Sequence, residues 1–392
     1  MKVHIWWRAA DPRIRLISAA VGLALLAALS PGPAAAQSID TPAPFAYLID
    51  LSSDTVLMEK GADVPTAPAS MSKMMTIYMV LERLKAGTLK LDDTFPVSKK
   101  AWEKGGSKMF VKVDTRVSVD DLLHGIIVQS GNDACIVVAE GLAGSETAFA
   151  AEMTARAREL GLTDSHFANA TGWPEDGHLM SPRDLARLAR LLIRDFPEYY
   201  PLFAEQSFTY NGITQANRNP VLSKEIGADG LKTGHTEASG YGLTASAKRG
   251  DRRLVLVLNG LESVSQRARE AERLLEWGFR SFEGVTLFDA QDRVEEAPVW
   301  LGERASVPLV LAEKLAVTLP RQARNRMEVT VRYDAPVPAP IRKGERLGTL
   351  RVTAPGFETV ERPLIAGADV GALGPVGRVL AVTQHWLASV LP

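Results

Sequence analysis

The chain has 392 residues, 45 basic and 46 acidic side chains, a formal charge of −1, 46% apolar residues and one cysteine, Cys135. That length suggests two domains, and the composition suggests a globular protein with a sizeable core. Near-neutral charge gives a nucleic-acid partner no electrostatic footprint. A single cysteine excludes an internal disulfide framework and any Cys-x-x-Cys metal or redox site.

The first residues read as a targeting segment. Lys2, Arg8, Arg13 and Arg15 form a basic region, Leu16 to Leu29 an apolar run, and Pro33-Ala34-Ala35-Ala36 an Ala-x-Ala cleavage site before Gln37. The run is short for a membrane span, so residues 1–36 are expected to be a signal peptide and the protein to be exported. A retained signal anchor is the alternative.

Ala46 to Leu51 and Val56 to Glu59 flank a polar turn and predict two strands. A helix follows over Ala67 to Glu82, with Pro68 at its entry and Gly87 as a stop. Leu91 to Gly106 has no strong pattern, and Lys108 to Val113 looks like a short strand. Ser118, with Asp121 three residues on, marks a helix start, and Leu122, Leu123, Ile126 and Ile127 supply its apolar stripe.

That helix runs into Ser130-Gly131-Asn132, and Ala134 to Leu142 is apolar enough for a second, buried helix. Taken structurally, the break needs only Asn132 or Asp133 as an N-cap. Cys135 fits a small buried apolar residue better than a nucleophile. Ala148 to Leu160 predicts a further helix and Asn169 to Met180 a loop. Ser181-Pro182 opens a helix with Leu185, Leu188, Leu191 and Leu192 on one face. His166 and His178 have no partner at metal-ligand spacing, and no metal or cofactor is expected.

Asp229 to Thr236 precedes an alternating segment, Tyr241 to Ala247. Arg249-Gly250-Asp251 joins that segment to Leu254 to Leu258 as a hairpin, and Gln266 to Phe279 is a helix. A domain that opens and closes with strands around a helical middle should bring its ends into one antiparallel sheet. Beyond about Gly284, short Val/Leu segments with Pro and Gly turns predict a small all-β domain. Val376, Val379, Leu380, Trp386, Leu387, Val390 and Leu391 then fall largely on one helical face. An amphipathic helix of that length suits a membrane interface; packing on the β domain is the alternative.

The expected order is a signal peptide over 1–36 and an α+β domain over 40–283. A β domain over 284–367 and an amphipathic tail over 368–392 complete it.

Three short motifs stand in sequence: Ser70-x-x-Lys73, Ser130-Gly131-Asn132 and Lys232-Thr233-Gly234. The first alone occurs by chance about once in a chain of this size. A serine and a lysine three apart on a helix share a face, and a hydroxyl beside an amine near a helix N-terminus is a workable acyl-transfer nucleophile. Finding all three in order makes accident improbable.

The set resembles the penicillin-recognising serine acyltransferases, and within them the low-molecular-mass D-alanyl-D-alanine carboxypeptidases. The segments Ala69 to Thr76, Ser130 to Cys135 and Leu231 to Tyr241 carry the likeness, extended by Arg269 to Glu272 and Trp277 to Arg280.

The resemblance implies an antiparallel sheet with a helical cluster, then the β domain and tail. It also implies that Ser70 is the nucleophile, Lys73 its base and Ser130 a proton carrier. Asn132 would hold the substrate amide, and Lys232, Thr233 and Arg269 the terminal carboxylate. Gly234 would let substrate approach the strand, and the N–H groups of Ser70 and His235 would form the oxyanion hole.

The implied function is removal of the terminal D-alanine from peptidoglycan stem peptides, with β-lactams as inhibitors. The implied place is the periplasmic face of the inner membrane. Class A β-lactamases, of the same superfamily, carry a Glu that activates hydrolytic water. Glu175 lies in a superficially similar loop without the matching pattern, so slow release of penicillin is expected. The alternatives are an endopeptidase of the same superfamily cutting D-Ala cross-links, and a non-catalytic wall-binding protein.

Overall fold

The computed structural model describes residues 2–5 and 39–390. By its contacts the chain divides into two compact units, Ile39–Ser281 and one built from residue 282 onward together with Lys2–Ile5. The candidate signal features from Arg8 to the cleavage site before Gln37 lie outside the described residues.

In the Ile39–Ser281 unit the order is β1 (Phe45–Asp50), β2 (Thr55–Lys60), α1 (Lys73–Lys85), α2 (Val119–Ile127), α3 (Asn132–Ala143) and α4 (Glu146–Glu159). Then come α5 (Pro182–Asp195), β3 (Ala228–Thr236), β4 (Gly240–Arg249), β5 (Arg252–Leu261) and α6 (Val264–Ser281). The strands form one antiparallel sheet in the order β2-β1-β5-β4-β3, so the ends of the unit do meet.

The central strands are apolar on both faces, and the two-residue period of a strand sorts them between two cores. Val255 and Val257 of β5, with Tyr47 and Ile49 of β1, join the core of α1 to α5. Leu254, Leu256 and Leu258 face the other way onto Leu274, Leu275 and Phe279 of α6.

Local signals fix several helix starts. The Ser118 hydroxyl accepts the Asp121 N–H at 3.1 Å, and the Ser181 hydroxyl accepts that of Asp184 at 3.2 Å, with Pro182 in the first turn. Three expectations need correction. Ser70 lies not in the α-helix but in a 3₁₀ turn, Ala69–Ser72, that leads into it. The segment from Leu91 to Gly106 contains a short strand, Thr94–Pro96, and a short helix, Lys99–Glu103. Lys108 to Val113 is loop rather than strand, because its N–H groups are taken by a side chain described below.

Up to its final helix the second unit is built of strands, with one short 3₁₀ helix, Arg321–Arg326, between them. A seven-stranded sheet includes Glu328–Tyr333, Arg346–Ala354, Phe357–Ala366 and Ser306–Val310, with Lys2–Ile5 paired to the Glu328–Tyr333 edge. Val307, Leu309, Val331, Leu350 and Leu364 fill its core. A terminal helix, α7 (Pro375–Val390), leaves Val376 74% and Val379 67% exposed. Among the described residues no single helix is long and apolar enough to cross a membrane.

Candidate active site

The 3₁₀ turn sets the geometry. At three residues per turn, positions i and i+3 eclipse, so Ser70 and Lys73 point the same way even outside the α-helix. Lys73 Nζ donates to Ser70 Oγ at 2.7 Å. Ser72 Oγ closes the turn on the Ala69 carbonyl at 3.0 Å, and Ala69 itself is held at φ +48°.

Glycines pack against the turn from two sides. A Cβ on Gly172, at φ +76°, would lie 2.0 Å from the Ala69 carbonyl oxygen, and one on Gly234 would lie 2.8 Å from that of Pro68. Gly234 therefore serves to seat β3 on the nucleophile turn.

Lys73 is fully buried and donates to three oxygens: Ser70 Oγ, Asn132 Oδ1 at 2.8 Å and the Thr171 carbonyl at 2.5 Å. Burial disfavours its charge and brings its pKa down to about 8, with the nearby guanidinium of Arg218 pushing the same way. All three partners are neutral. The ammonium is thus held in position without a contacting carboxylate to fix its charge, which is what a lysine base requires.

Ser130 sits where α2 has ended and α3 has not begun, at φ +59°. Its hydroxyl is buried and, among the described residues, has no hydrogen-bond partner. Neither Asn132 nor Asp133 caps α3; the cap position is Gly131, and both side chains work elsewhere. Asn132 bridges Lys73 and the Gly105 carbonyl, which Nδ2 reaches at 2.9 Å. The Asp133 carboxylate accepts the N–H groups of Met109, Phe110 and Val111 at 2.9, 2.9 and 3.2 Å. Those bonds are why the Lys108–Val113 segment cannot pair as a strand.

Lys232 and Thr233 lie in β3, where Lys232 is 2% exposed. Burial first, then the charge of Lys73, pushes the Lys232 ammonium well below its usual pKa. The charges of Arg218 and Arg267 act in the same direction. This end of the site gathers cations and is suited to an anion. His235 is exposed and stacks on Tyr241, with ring centroids 3.9 Å apart.

Arg269 is not at the site. It is exposed on α6, whereas Arg267 is buried and directs its guanidinium to the carbonyls of Gly234 at 3.4 Å and Gly242 at 3.3 Å. Two residues along a helix is about 200° of rotation, so only one of the pair can face β3. Arg267 shares its face with Ala271, Leu274, Leu275 and Gly278; an arginine on an apolar stripe was the available signal.

Sequence reasoning also missed Asn169. Its Oδ1 accepts the N–H groups of Thr171, Gly172 and Trp173, and its Nδ2 donates to Glu175 at 2.9 Å. This fixes the Thr171 carbonyl that receives Lys73, and it ties the Glu175 carboxylate to a scaffolding role. Cys135 is buried with its pKa pushed up to about 12 by burial, an inert thiol. No group of three or more His, Cys, Asp or Glu among the described residues could hold a metal ion.

A serine hydrogen-bonded to a buried lysine, with a second buried lysine on the neighbouring strand, is the arrangement of a serine acyltransferase. Residues 33–262 match the family model described as D-alanyl-D-alanine carboxypeptidase. The chain belongs to that family. Residues 282–372 match the C-terminal domain of penicillin-binding protein 5.

The D-alanyl-D-alanine carboxypeptidase DacC of Escherichia coli is 40% identical over 372 residues, covering 92% of this chain and 93% of its own. Penicillin binding protein 5 from Haemophilus influenzae superposes with a TM-score of 0.79 at 34% identity, covering 85% of this chain and 98% of that one. Penicillin-binding protein D2 from Listeria monocytogenes, solved in an ampicillin-bound form, superposes with a TM-score of 0.57 at 28% identity. It covers 62% of this chain and 99% of its own.

Proposed function

We propose that this protein is a serine-type D-Ala-D-Ala carboxypeptidase, in which Ser70, Lys73 and Ser130 carry out acyl transfer and Lys232 and Thr233 hold the substrate's free carboxylate. The observation that carries the reading is the 2.7 Å contact between Ser70 Oγ and the fully buried Lys73 Nζ. Neutral Lys73 takes the Ser70 proton as Oγ attacks the carbonyl carbon of the penultimate D-alanine. The oxyanion forms against the N–H groups of Ser70 and His235. The proton passes through the Ser130 hydroxyl to the departing D-alanine nitrogen as the C–N bond breaks, leaving an ester on Ser70. Water then hydrolyses the ester and releases the shortened peptide. The cationic Lys232 end explains an exo-acting enzyme, because a substrate lacking a terminal carboxylate leaves that charge unpaired.

A β-lactam enters by the same attack and is released slowly, since Glu175 is hydrogen-bonded to Asn169. The test is mass spectrometry of the penicillin adduct with a D-alanine release assay. The adduct should map to Ser70, and S70A should lose both labelling and turnover. Normal D-alanine release by S70A defeats the reading. Release of D-alanine from a pentapeptide, set against cleavage of cross-linked dimers, separates a carboxypeptidase from an endopeptidase.

For location, the basic and apolar N-terminal segment supports export to the periplasm. The exposed Val376, Val379 and Leu380 of α7 support peripheral attachment to the inner membrane. Removing residues 368–392 should move the protein to the soluble fraction; continued membrane attachment argues against an anchor.

A further inference from the structure

In the unit built from residue 282 onward, the Glu328–Tyr333 strand has Arg346–Ala354 on one side and Lys2–Ile5 on the other. Lys2 stands opposite Arg332, Val3 opposite Val331, His4 opposite Thr330 and Ile5 opposite Val329. Granting the export reading above, residues 1–36 are removed from the mature protein, and the strand that covers this edge goes with them. The mature protein then presents a row of unpaired main-chain N–H and C=O groups, a ready template for another strand. The strand does little to blunt that edge. It contains no proline, and it pairs with residues 348–353 in continuous register, without a bulge.

The residues of the strand specify what can pair there. Val329, Val331 and Tyr333 are buried in the β core, whereas Glu328 and Arg332 are exposed and Thr330 half-buried. An antiparallel neighbour must keep the same faces, so a second copy of the strand has to be centred on a residue and not between two. Centred on Thr330, it sets each Glu328 opposite the Arg332 of the other copy. Val329 then meets Val331 on the core face, and Thr330 meets itself. Opposite-charge, Thr–Thr and β-branched pairs are all favourable across a sheet. Centred on Val329 or Val331, neither charge meets its opposite.

Within one copy the two charges have no such use. Roughly 13 Å of strand separates them. Their neighbours on the adjacent strand are the neutral Thr353 and Thr349, and among the described residues neither makes an ion pair. Charges of one sign would guard an edge against pairing. Two of opposite sign, symmetric about Thr330, instead favour one register of self-pairing and disfavour the others.

We propose that the edge formed by residues 328–332 is the interface of a homodimer of the mature protein, two copies pairing antiparallel about a two-fold axis at Thr330. The contact is isologous and closes on itself. Five paired residues bury far less than a standard interface, so the dimer is a weak one, half-formed at roughly 10–100 µM in solution.

Sedimentation equilibrium of residues 37–392 in mild detergent should show that monomer–dimer equilibrium. R332E sets like charges opposite each other at both ends and should weaken it about tenfold or more. E328R/R332E restores opposite charges in the same register and should bring back the wild-type constant, which damage to the sheet would not do. T330C should be joined across the interface by a short bis-maleimide, because its two copies meet at the axis and the native Cys135 is buried. The two copies of E328C stand roughly 14 Å apart along the strands and should stay unjoined. A wild-type protein that is monomeric at about 1 mM, an equilibrium unmoved by R332E, or no recovery in the double variant overturns the proposal. So does equal crosslinking of the two cysteine variants. An intact mass showing residues 1–36 retained would instead remove the export reading, and this proposal with it.

Discussion

The state of Lys73 gives the sharpest test, because the proposed mechanism needs an amine that the fold disfavours as an ammonium. With a pKa of about 8, roughly a tenth of the protein carries neutral Lys73 at pH 7 and about nine-tenths at pH 9. The second-order rate of acylation by a fluorescent penicillin should rise about tenfold across that interval.

K73R places a cation that does not deprotonate and should lower the rate by roughly 10²–10⁴ while abolishing the rise. Stability moves with the same group. A lysine whose folded pKa is depressed leaves the unfolded chain binding more protons between about pH 8 and 10.5, so its contribution to stability improves as pH rises through that window. At neutral pH the buried ammonium costs about 3 kcal/mol. An acylation rate flat from pH 6.5 to 9, or a K73R protein keeping the wild-type profile, refutes the assignment.

Three further outcomes are expected. D133A frees three N–H groups of the Met109–Val111 loop and should cost about 3 kcal/mol in thermal unfolding, with activity falling because Asn132 adjoins the same loop. G172A puts a methyl against the Ala69 carbonyl and should lower penicillin acylation by about 10² or more, with the melting temperature reduced. R269A, at an exposed position, should leave D-alanine release within about twofold, whereas R267A should destabilise by about 1–3 kcal/mol by removing the donor to the Gly234 and Gly242 carbonyls. Equal effects of the two arginine variants would count against the placement of α6.

Signals confined to a few residues were legible. Ser118 with Asp121 and Ser181 with Pro182 and Asp184 are local devices, and each produces the helix start its residues dictate. The alternation of Leu254 to Leu258 is equally local, and it places the strand between two cores. The failures have long-range causes. Met109-Phe110-Val111 looks like a strand until a carboxylate more than twenty residues later takes its N–H groups. Arg267 and Arg269 cannot be told apart by type; only the orientation of α6 against β3 decides which one is buried. Thr171 was invisible because it contributes a main-chain carbonyl, and any residue type has one.

The same distinction accounts for how the site is built. Ser70, Lys73, Ser130 and Lys232 are identifiable because their side chains carry chemistry, but their positions are set largely by main-chain groups. The Thr171 carbonyl orients Lys73, the Ala69 and Pro68 carbonyls meet two glycine positions, and the Gly234 and Gly242 carbonyls receive Arg267. Ala69 and Ser130, both non-glycine residues with positive φ, stand on either side of the lysine. Such conformations cost of order 1–3 kcal/mol each and persist only where surrounding packing imposes them. The nucleophile turn and the buried helices α1, α2 and α3 supply that packing, with Met71, Met74, Leu122, Ile126 and Cys135 in one core. A rigid apolar shell is therefore a condition of the chemistry. It excludes the water that would restore Lys73 to its ordinary pKa, and it keeps the serine hydroxyl within reach of the amine.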